Sequence, residues 1–373
     1  MILTLDKLSA LRALRVYRKT RRPLPESRHD LPSPSPSPRK RWTPGIIPLD
    51  RLGLREAPSA EKPLSVLVPL QEQRLRGSFV RCSVRATSLP ARSFVDLGDG
   101  LFIPCPELLF FSLIDEMTPE AHALLGYELC GTYSRDAENP RLGEVTYGIE
   151  PATSTQKISS FLETMTKRKT APLVRHSLSF VADSAWSPME AIIALMARLP
   201  VHERGYELGE VALNVRHGTT PEMVALGCKG SRVPDIEVVG THVGFNYDSQ
   251  SHLDLEAVAE AARNGDASLA IRHVRQKYLD DHRRNRELAA LGHITLVVTS
   301  EDLFMPGGLD AVMLEAAMLI DKLDGGCAFG NVRAALTFED ERRRRQTLIW
   351  SLLPWEQGVL YASEVKSWVP WRI

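Results

Sequence analysis

Hydrophobic and polar residues alternate between Arg232 and His252, and this alternation predicts a β-hairpin. Successive side chains of a strand point to opposite faces, so the hairpin has one apolar face. Its members are Ile236, Val238, Val243, Phe245 and Tyr247. With Gly240 and Thr241 as the two loop residues of a type II′ turn, Asp235 lies directly opposite Asn246.

The other face of the predicted hairpin is polar and carries Asp235, Glu237, Asn246 and Asp248. Directly opposed side chains in such a pair start about 5 Å apart. Carboxylate and amide oxygens are the ligands that Mg²⁺ prefers in proteins. The hairpin therefore predicts a cluster of candidate metal ligands on one face of a sheet.

Segments on both sides of the hairpin predict further elements. A helix begins at Ser187-Pro188 and ends near Leu199, and a strand lies within Tyr206–Asn214. After the hairpin, a helix-rich stretch is predicted from Leu255 to Leu291. The apolar run Ile294–Thr299 is typical of a buried strand.

A segment of alternating Pro and Ser, Leu31–Arg41, cannot form a core and favours an extended linker. We expect five parts along the chain. They are a basic amphipathic helix in residues 1–30, the linker in 31–60, an α+β domain in 61–170, a second domain in 171–303 and a C-terminal extension in 304–373. The first helix either packs on the next domain with a solvated basic face or contacts DNA or another chain.

The second domain resembles the PD-(D/E)XK nuclease superfamily, in particular the very-short-patch-repair-like endonuclease domains. Pro234-Asp235 matches the "PD" strand, and Asn246-Tyr247-Asp248-Ser249-Gln250-Ser251-His252 falls on the Glu-x-Asp-Gly-x-x-His pattern of the next strand. Asn246 replaces a metal-binding Glu of those relatives, and Ser249 replaces a Gly. The region Pro104–Ser134 is similar to a domain of abortive-infection antitoxins.

This resemblance implies an α/β (α+β) fold, with a restriction-endonuclease-like α-β-β-β-α-β core and a separate, smaller N-terminal α+β domain. It also implies a catalytic set of Glu190, Asp235, Asn246, Asp248 and His252. Glu190, Asp235 and Asp248 would hold Mg²⁺ or Mn²⁺. Since Asn246 offers no negative charge, the affinity for the ion is expected to be weak.

Two of these assignments have a structural alternative. Glu190 either points into the metal site or closes a capping box with Ser187. Arg284 either forms a helix-positioning pair with Asp281 or contacts phosphate. The expected DNA-binding residues are Arg275, Lys277, Arg283 and Arg284.

Composition narrows the class of protein without naming a function. The 373 residues are 43% hydrophobic and 25% charged, which is typical of a globular protein, and the formal net charge is zero. DNA binding must therefore come from local patches. Five scattered cysteines indicate neither a zinc site nor a disulfide framework. Without a signal peptide or an apolar span we expect a cytoplasmic protein that is not membrane-bound.

Three functions follow from these patterns. The first is a nuclease-fold protein with a degenerate metal site that binds or acts on DNA in a defence or regulatory role. The second is an active metal-dependent endodeoxyribonuclease, and the third is a protein-interaction module without nucleic acid. Restoring the carboxylate by Asn246→Glu is expected to raise metal binding at little cost in stability, since the position is predicted to face the surface.

Overall fold

The computed structural model describes residues 2–34, 47–85, 88–166, 168–248 and 267–368. The chain divides into two units. The first extends to Pro188 and includes Pro354–Glu356, and the second contains Met189–Leu353 and the helix after Gln357. The division thus falls after Pro188 rather than after residue 170. Residues 304–353, expected as a separate extension, share the second unit.

The first unit is a mixture of helices and short strands. Its strands are β1 (Leu3–Thr4), β2 (Leu64–Val68), β3 (Val80–Val84), β4 (Phe94–Asp96), β5 (Leu101–Pro104), β6 (Tyr133–Ser134) and β7 (Thr146–Tyr147). Its helices are α1 (Lys7–Lys19), α2 (Pro106–Ser112), α3 (Pro119–Cys130), α4 (Thr155–Thr164) and α5 (Ala171–Leu178). The strands form a β1-β5-β4 sheet and the pairs β2-β3 and β6-β7. Helix α5 packs on α3 and α4, which places it in this unit.

The basic residues of α1 are held inside the first unit. Arg15 makes two hydrogen bonds to the Glu128 carboxylate, at 2.9 and 2.7 Å. Arg18 is buried and donates to the carbonyl oxygens of Glu128, Gly131 and Glu150. Burial alone raises the pKa of Glu128, but the Arg15 guanidinium and Arg135 together outweigh it and the pKa falls to about 2. The expected solvated basic face is therefore wrong for these two arginines, which pair with buried acceptors.

The second unit follows the first along the chain from α6 (Pro188–Arg198). Its strands are β8 (Val211–Leu213), β9 (His217–Gly218), β10 (Ser231–Arg232), β11 (Ile236–Val238), β12 (Val243–Asp248) and β13 (Ile294–Thr299). Its further helices are α7 (Pro221–Ala225), α8 (Ala267–Ala290), α9 (Ser300–Phe304), α10 (Gly308–Asp324), α11 (Ala328–Leu336), α12 (Glu339–Leu352) and α13 (Gly358–Trp368). No described helix has the length and apolar character needed to cross a membrane.

Four strands of the second unit form one mixed sheet in the order β13-β12-β11-β8. Strand β11 is antiparallel to both β8 and β12, whereas β12 and β13 are parallel. The elements that build this sheet and its main helices therefore follow one another as α6, β8, β11, β12, α8 and β13. The predicted mixture of helices and strands is confirmed at the level of an α+β fold.

The register of the hairpin is as predicted. Ile236 pairs with Phe245 and Glu237 with Gly244, so Asp235 comes opposite Asn246. The predicted turn is wrong by one residue, because Thr241 N donates to Val238 O and centres the turn on Val239 and Gly240. Gly240 has a φ of +78°, which suits the third position of such a turn.

The two faces of this sheet differ as the alternation predicts. Ile236, Val238, Val243 and Phe245 are at most 2% exposed and belong to the apolar core. Residues of the other face are Ala212, Asn214, Asp235, Glu237, Gly244, Asn246 and Thr295, by their registers. Helix α8 packs over that polar face and contacts β13. The candidate ligands therefore lie between a sheet and a helix.

Protonation of His122 is expected to oppose folding of the first unit. The ring is buried, contacts Ser177 Oγ at 2.8 Å and Phe110 O at 2.7 Å, and burial lowers its pKa to about 4. Between about pH 6.5 and 4 His122 binds a proton in the unfolded chain but not in the folded chain. The contribution of His122 to stability is therefore present above this window and lost as the pH falls through it. This contribution is on the order of 3 kcal/mol.

Urea denaturation of the wild type and of His122→Gln at neutral pH and near pH 4 measures the effect. The wild-type advantage is expected to shrink toward low pH, because glutamine does not titrate. His202→Gln, at a largely exposed ring, serves as the control and should leave the pH profile unchanged. A constant difference between wild type and His122→Gln would contradict the assignment.

Candidate functional site

Asp235 and Asn246 are joined across the β11–β12 ladder. The Asp235 backbone N–H donates to Asn246 Oδ1 at 3.0 Å, and the Tyr247 backbone N–H donates to Asp235 Oδ2 at 2.7 Å. Both side chains therefore bond to the backbone of the opposing strand. This arrangement fixes the direction of the Asp235 carboxylate.

The Asn246 amide is also bonded to helix α8. Its Nδ2 donates to Asn285 Oδ1 at 2.8 Å, and Thr295 Oγ1 donates to the same oxygen at 3.3 Å. Asn246 is only 1% exposed. The expectation that this position faces the surface is wrong, because α8 covers it and uses its amide group.

The Asp235 carboxylate faces a cation supplied by the protein. Arg284 of α8 lies with Nη1 3.6 Å from Asp235 Oδ1 and with Nη2 3.7 Å from Asp281 Oδ1. The predicted pairing of Arg284 with Asp281 is confirmed, and Asp235 joins it. Arg284 therefore bridges the carboxylates of a strand and a helix.

Glu190 approaches the same region from the first turn of α6. It is 7% exposed, and its Oε2 accepts a hydrogen bond from Asn214 Nδ2 at 2.9 Å. The Asn214 backbone N–H donates to Asp235 O at 3.1 Å, with Asn214 in a left-handed conformation at a φ of +56°. Asn214 thus links Glu190 to the strand that bears Asp235.

The residues at Asp235 do not fit the divalent ion that the resemblance implies. Arg284 already balances the carboxylate of Asp235, and the Asn246 amide is taken up by backbone and Asn285. Within the described residues, Glu190, Asp235 and Asp248 do not form a group whose ligand atoms all lie within 4.8 Å of one another. A cation placed beside Asp235 would also meet the charge of Arg284.

The remaining predicted site residues are distributed as follows. Asp248 ends β12, half-buried, on the face of Asn246. His252 and the side chain of Lys277 lie outside the described residues. Arg275 and Arg283 are exposed on α8. The catalytic and metal-binding roles of this set stay predictions.

Comparison of the chain with protein-family models, with curated proteins and with solved structures gives no match. Function must therefore be argued from the site itself.

A second cluster on the polar face was not predicted as a site. His217 of β9, Glu237 of β11 and His293, just before β13, bring three ligand atoms within 4.8 Å of one another. The sequence indicated only Glu237, as a carboxylate near the predicted site. Burial lowers the pKa of His293, with a smaller contribution from His217 and an opposing one from Glu237. The two histidines are far apart in the sequence, so no local motif could have predicted the cluster.

Helix α8 carries a row of exposed arginines, Arg272, Arg275, Arg283 and Arg286. At 3.6 residues per turn, these four positions fall within about 80° of one another around the helix axis. Asn285 and Leu288 point to the opposite side, where they meet the sheet and the core. We call these four residues the arginine face.

Asn246→Glu is expected to destabilise the protein by roughly 2–4 kcal/mol, since it buries a charge beside Asp235 and removes the Asn246 hydrogen bond to Asn285. Urea denaturation measures this loss, and calorimetry with Mg²⁺ should show no gain in metal binding. Val239→Glu, at an exposed position of the same hairpin, is the matched control and should change stability by no more than about 0.5 kcal/mol. A stable Asn246→Glu protein that binds Mg²⁺ would show that one residue alone had removed the metal site.

Proposed function

We propose that the second unit binds duplex DNA through the arginine face of α8, as a nuclease-fold protein in which Arg284 occupies the place of a metal ion beside Asp235. The observation that carries DNA binding is the arginine face. The first and last of its four arginines are fourteen residues apart along the helix, a rise of about 21 Å. One DNA strand presents about six phosphates over that length, at one per 3.4 Å.

Two acidic residues of α8 near the arginine face have other partners. Asp280 pairs with Lys229 at 2.8 Å and with Arg232 at 3.2 Å. Glu287 is hydrogen-bonded to the buried Arg232, and this bond lowers the pKa of Glu287. Arg275 and Arg283 form no ion pair with any residue described here. The charges of Arg275 and Arg283 are thus available to phosphate groups.

Two further observations support a nuclease fold for this unit. The order α6, β8, β11, β12, α8, β13 follows the α-β-β-β-α-β pattern that the resemblance implies, with three antiparallel strands and a parallel fourth. Asp235 also lies directly before β11, opposite Asn246, which stands where the relatives carry a metal-binding Glu. The proposed function is binding without hydrolysis at Asp235, since its carboxylate is paired with Arg284.

A second arginine-rich segment of the unit, on α12, does not make a comparable surface. On α12, Arg343 pairs with Glu339 and Asp340, and Arg344 pairs with Glu341. Arg345 is 1% exposed and pairs with Asp310 at 3.3 Å. These arginines are balanced along their own helix or inside the core. Arg343 and Arg344 can therefore serve as a control for the loss of positive charge outside the arginine face.

Replacing Arg275 and Arg283 together by alanine is expected to weaken binding to a duplex oligonucleotide about tenfold at low salt, and to reduce the slope of log affinity against log salt by about two. The loss should be similar for unrelated DNA sequences, because phosphate contacts carry no sequence information. Fluorescence anisotropy over a series of salt concentrations measures both quantities.

The double variant Arg343→Ala/Arg344→Ala removes the same charge elsewhere and should leave the slope unchanged. Equal losses in both double variants would reduce the effect to bulk charge, and no binding by the wild type at any salt would favour a protein-interaction module. Plasmid cleavage with Mg²⁺ that Asp235→Ala abolishes would show an active endonuclease and contradict the proposed loss of hydrolysis.

A further inference from the structure

The histidine–glutamate cluster combines residues from three separate segments of the second unit. His217 Nε2 is hydrogen-bonded to Glu237 Oε1, and His293 Nδ1 lies 3.4 Å from the same oxygen. The two imidazole rings lie against each other, with centroids 3.8 Å apart and an interplanar angle of 38°. Two imidazole nitrogens therefore lie against one carboxylate oxygen, Glu237 Oε1.

The cross-strand partner of Glu237 is a glycine, Gly244. Gly244 has no side chain on the polar face, and a Cβ there would lie 2.4 Å from Ile236 O. His293 enters beside it, one residue before Ile294 pairs with Val243. The close approach of the β11 backbone thus excludes a side chain at position 244, opposite Glu237.

We propose that His217, Glu237 and His293 bind a divalent transition-metal ion, with zinc as the preferred ion. Two imidazoles and one carboxylate are a ligand set that zinc uses with bonds of about 2.0–2.2 Å. Ligand atoms of a tetrahedral site with such bonds lie about 3.4 Å apart. The Glu237–His293 distance of 3.4 Å has this value, and the closer His217–Glu237 hydrogen bond must open for the ion to enter.

The cluster is placed so that an ion can reach it and keep an open coordination position. Side-chain exposures are 20% for His217, 17% for Glu237 and 30% for His293, so the ligands are neither sealed in the core nor free in solvent. Three protein ligands leave the fourth tetrahedral position to water or an anion. Magnesium is disfavoured, since it prefers oxygen ligands.

This cluster is separate from the contacts between Asp235 and Arg284, and its proposed role does not depend on DNA binding. Asp235 and Glu237 point to the same face of β11 but are two residues, or about 7 Å, apart along the strand. Asp235 is balanced by Arg284, whereas Glu237 is flanked by imidazoles. The polar face of the sheet thus contains one acid paired with an arginine and one acid positioned for a metal.

The test uses the full chain after treatment with a chelator, titrated with Zn²⁺ by calorimetry and with Co²⁺ by visible absorption. The expected result is one ion per chain, with a Co²⁺ spectrum of nitrogen and oxygen ligands. Glu237→Gln and His293→Gln should each weaken Zn²⁺ binding roughly a hundredfold or more, because each removes a direct ligand. Zn²⁺ should also raise the unfolding temperature of the wild type and not that of the variants.

His202→Gln removes an exposed imidazole of the same unit and should bind Zn²⁺ as the wild type does. Circular dichroism without metal establishes that each variant is folded, and His217→Gln at the edge of the unit provides a third ligand variant. The proposal is overturned if the wild type binds no Zn²⁺, or if the ligand variants bind it equally well. Thiolate bands in the Co²⁺ spectrum, or loss of Zn²⁺ in Asp235→Ala, would place the ion elsewhere and contradict it too.

Discussion

The side chain of Asn246 couples the strands of the second unit to the helix that covers them. Its oxygen accepts from the backbone of β11, and its nitrogen donates to Asn285 of α8. A buried amide that loses either partner is destabilising by roughly 1–3 kcal/mol. The hairpin register, the position of α8 and the orientation of Asp235 therefore depend on one another.

This coupling explains why an arginine stands beside Asp235. When α8 closes over the polar face, it brings carboxylates into a partly buried space, and each of them needs a positive partner or hydrogen-bond donors. Arg284 supplies the charge and the Tyr247 backbone supplies a donor. A buried carboxylate is paired with an arginine at two further places. Arg345 pairs with Asp310 in this unit, and Arg15 pairs with Glu128 in the first unit.

Two residues further along β11 the same face has a different chemistry. Among the residues that the structure describes, no guanidinium pairs with Glu237, and two imidazoles lie against its carboxylate instead. An imidazole exchanges a hydrogen bond for a metal bond without moving a permanent charge, whereas an arginine cannot. The two acids therefore differ because of the residues that face them. Arg284 of α8 faces Asp235, whereas His217 of β9 and His293, just before β13, face Glu237.

Local periodicity in the sequence was sufficient to determine the α+β character, the hairpin and its register, because alternation fixes which side chains share a face of a strand. It did not determine what covers that face. The contacts that tertiary packing adds join residues that are distant in the chain. They are the hydrogen bond of Asn246 to Asn285, the contact of the His217 and His293 rings, and the hydrogen bonds of Arg15 and the buried Arg18 to Glu128. The turn also shifted by one residue, since either of two neighbouring positions could place Gly240 at a positive φ. Whether a polar face becomes a metal site, an ion pair or a solvated surface was decided only by tertiary packing, because the partner of each charge arrives from another element.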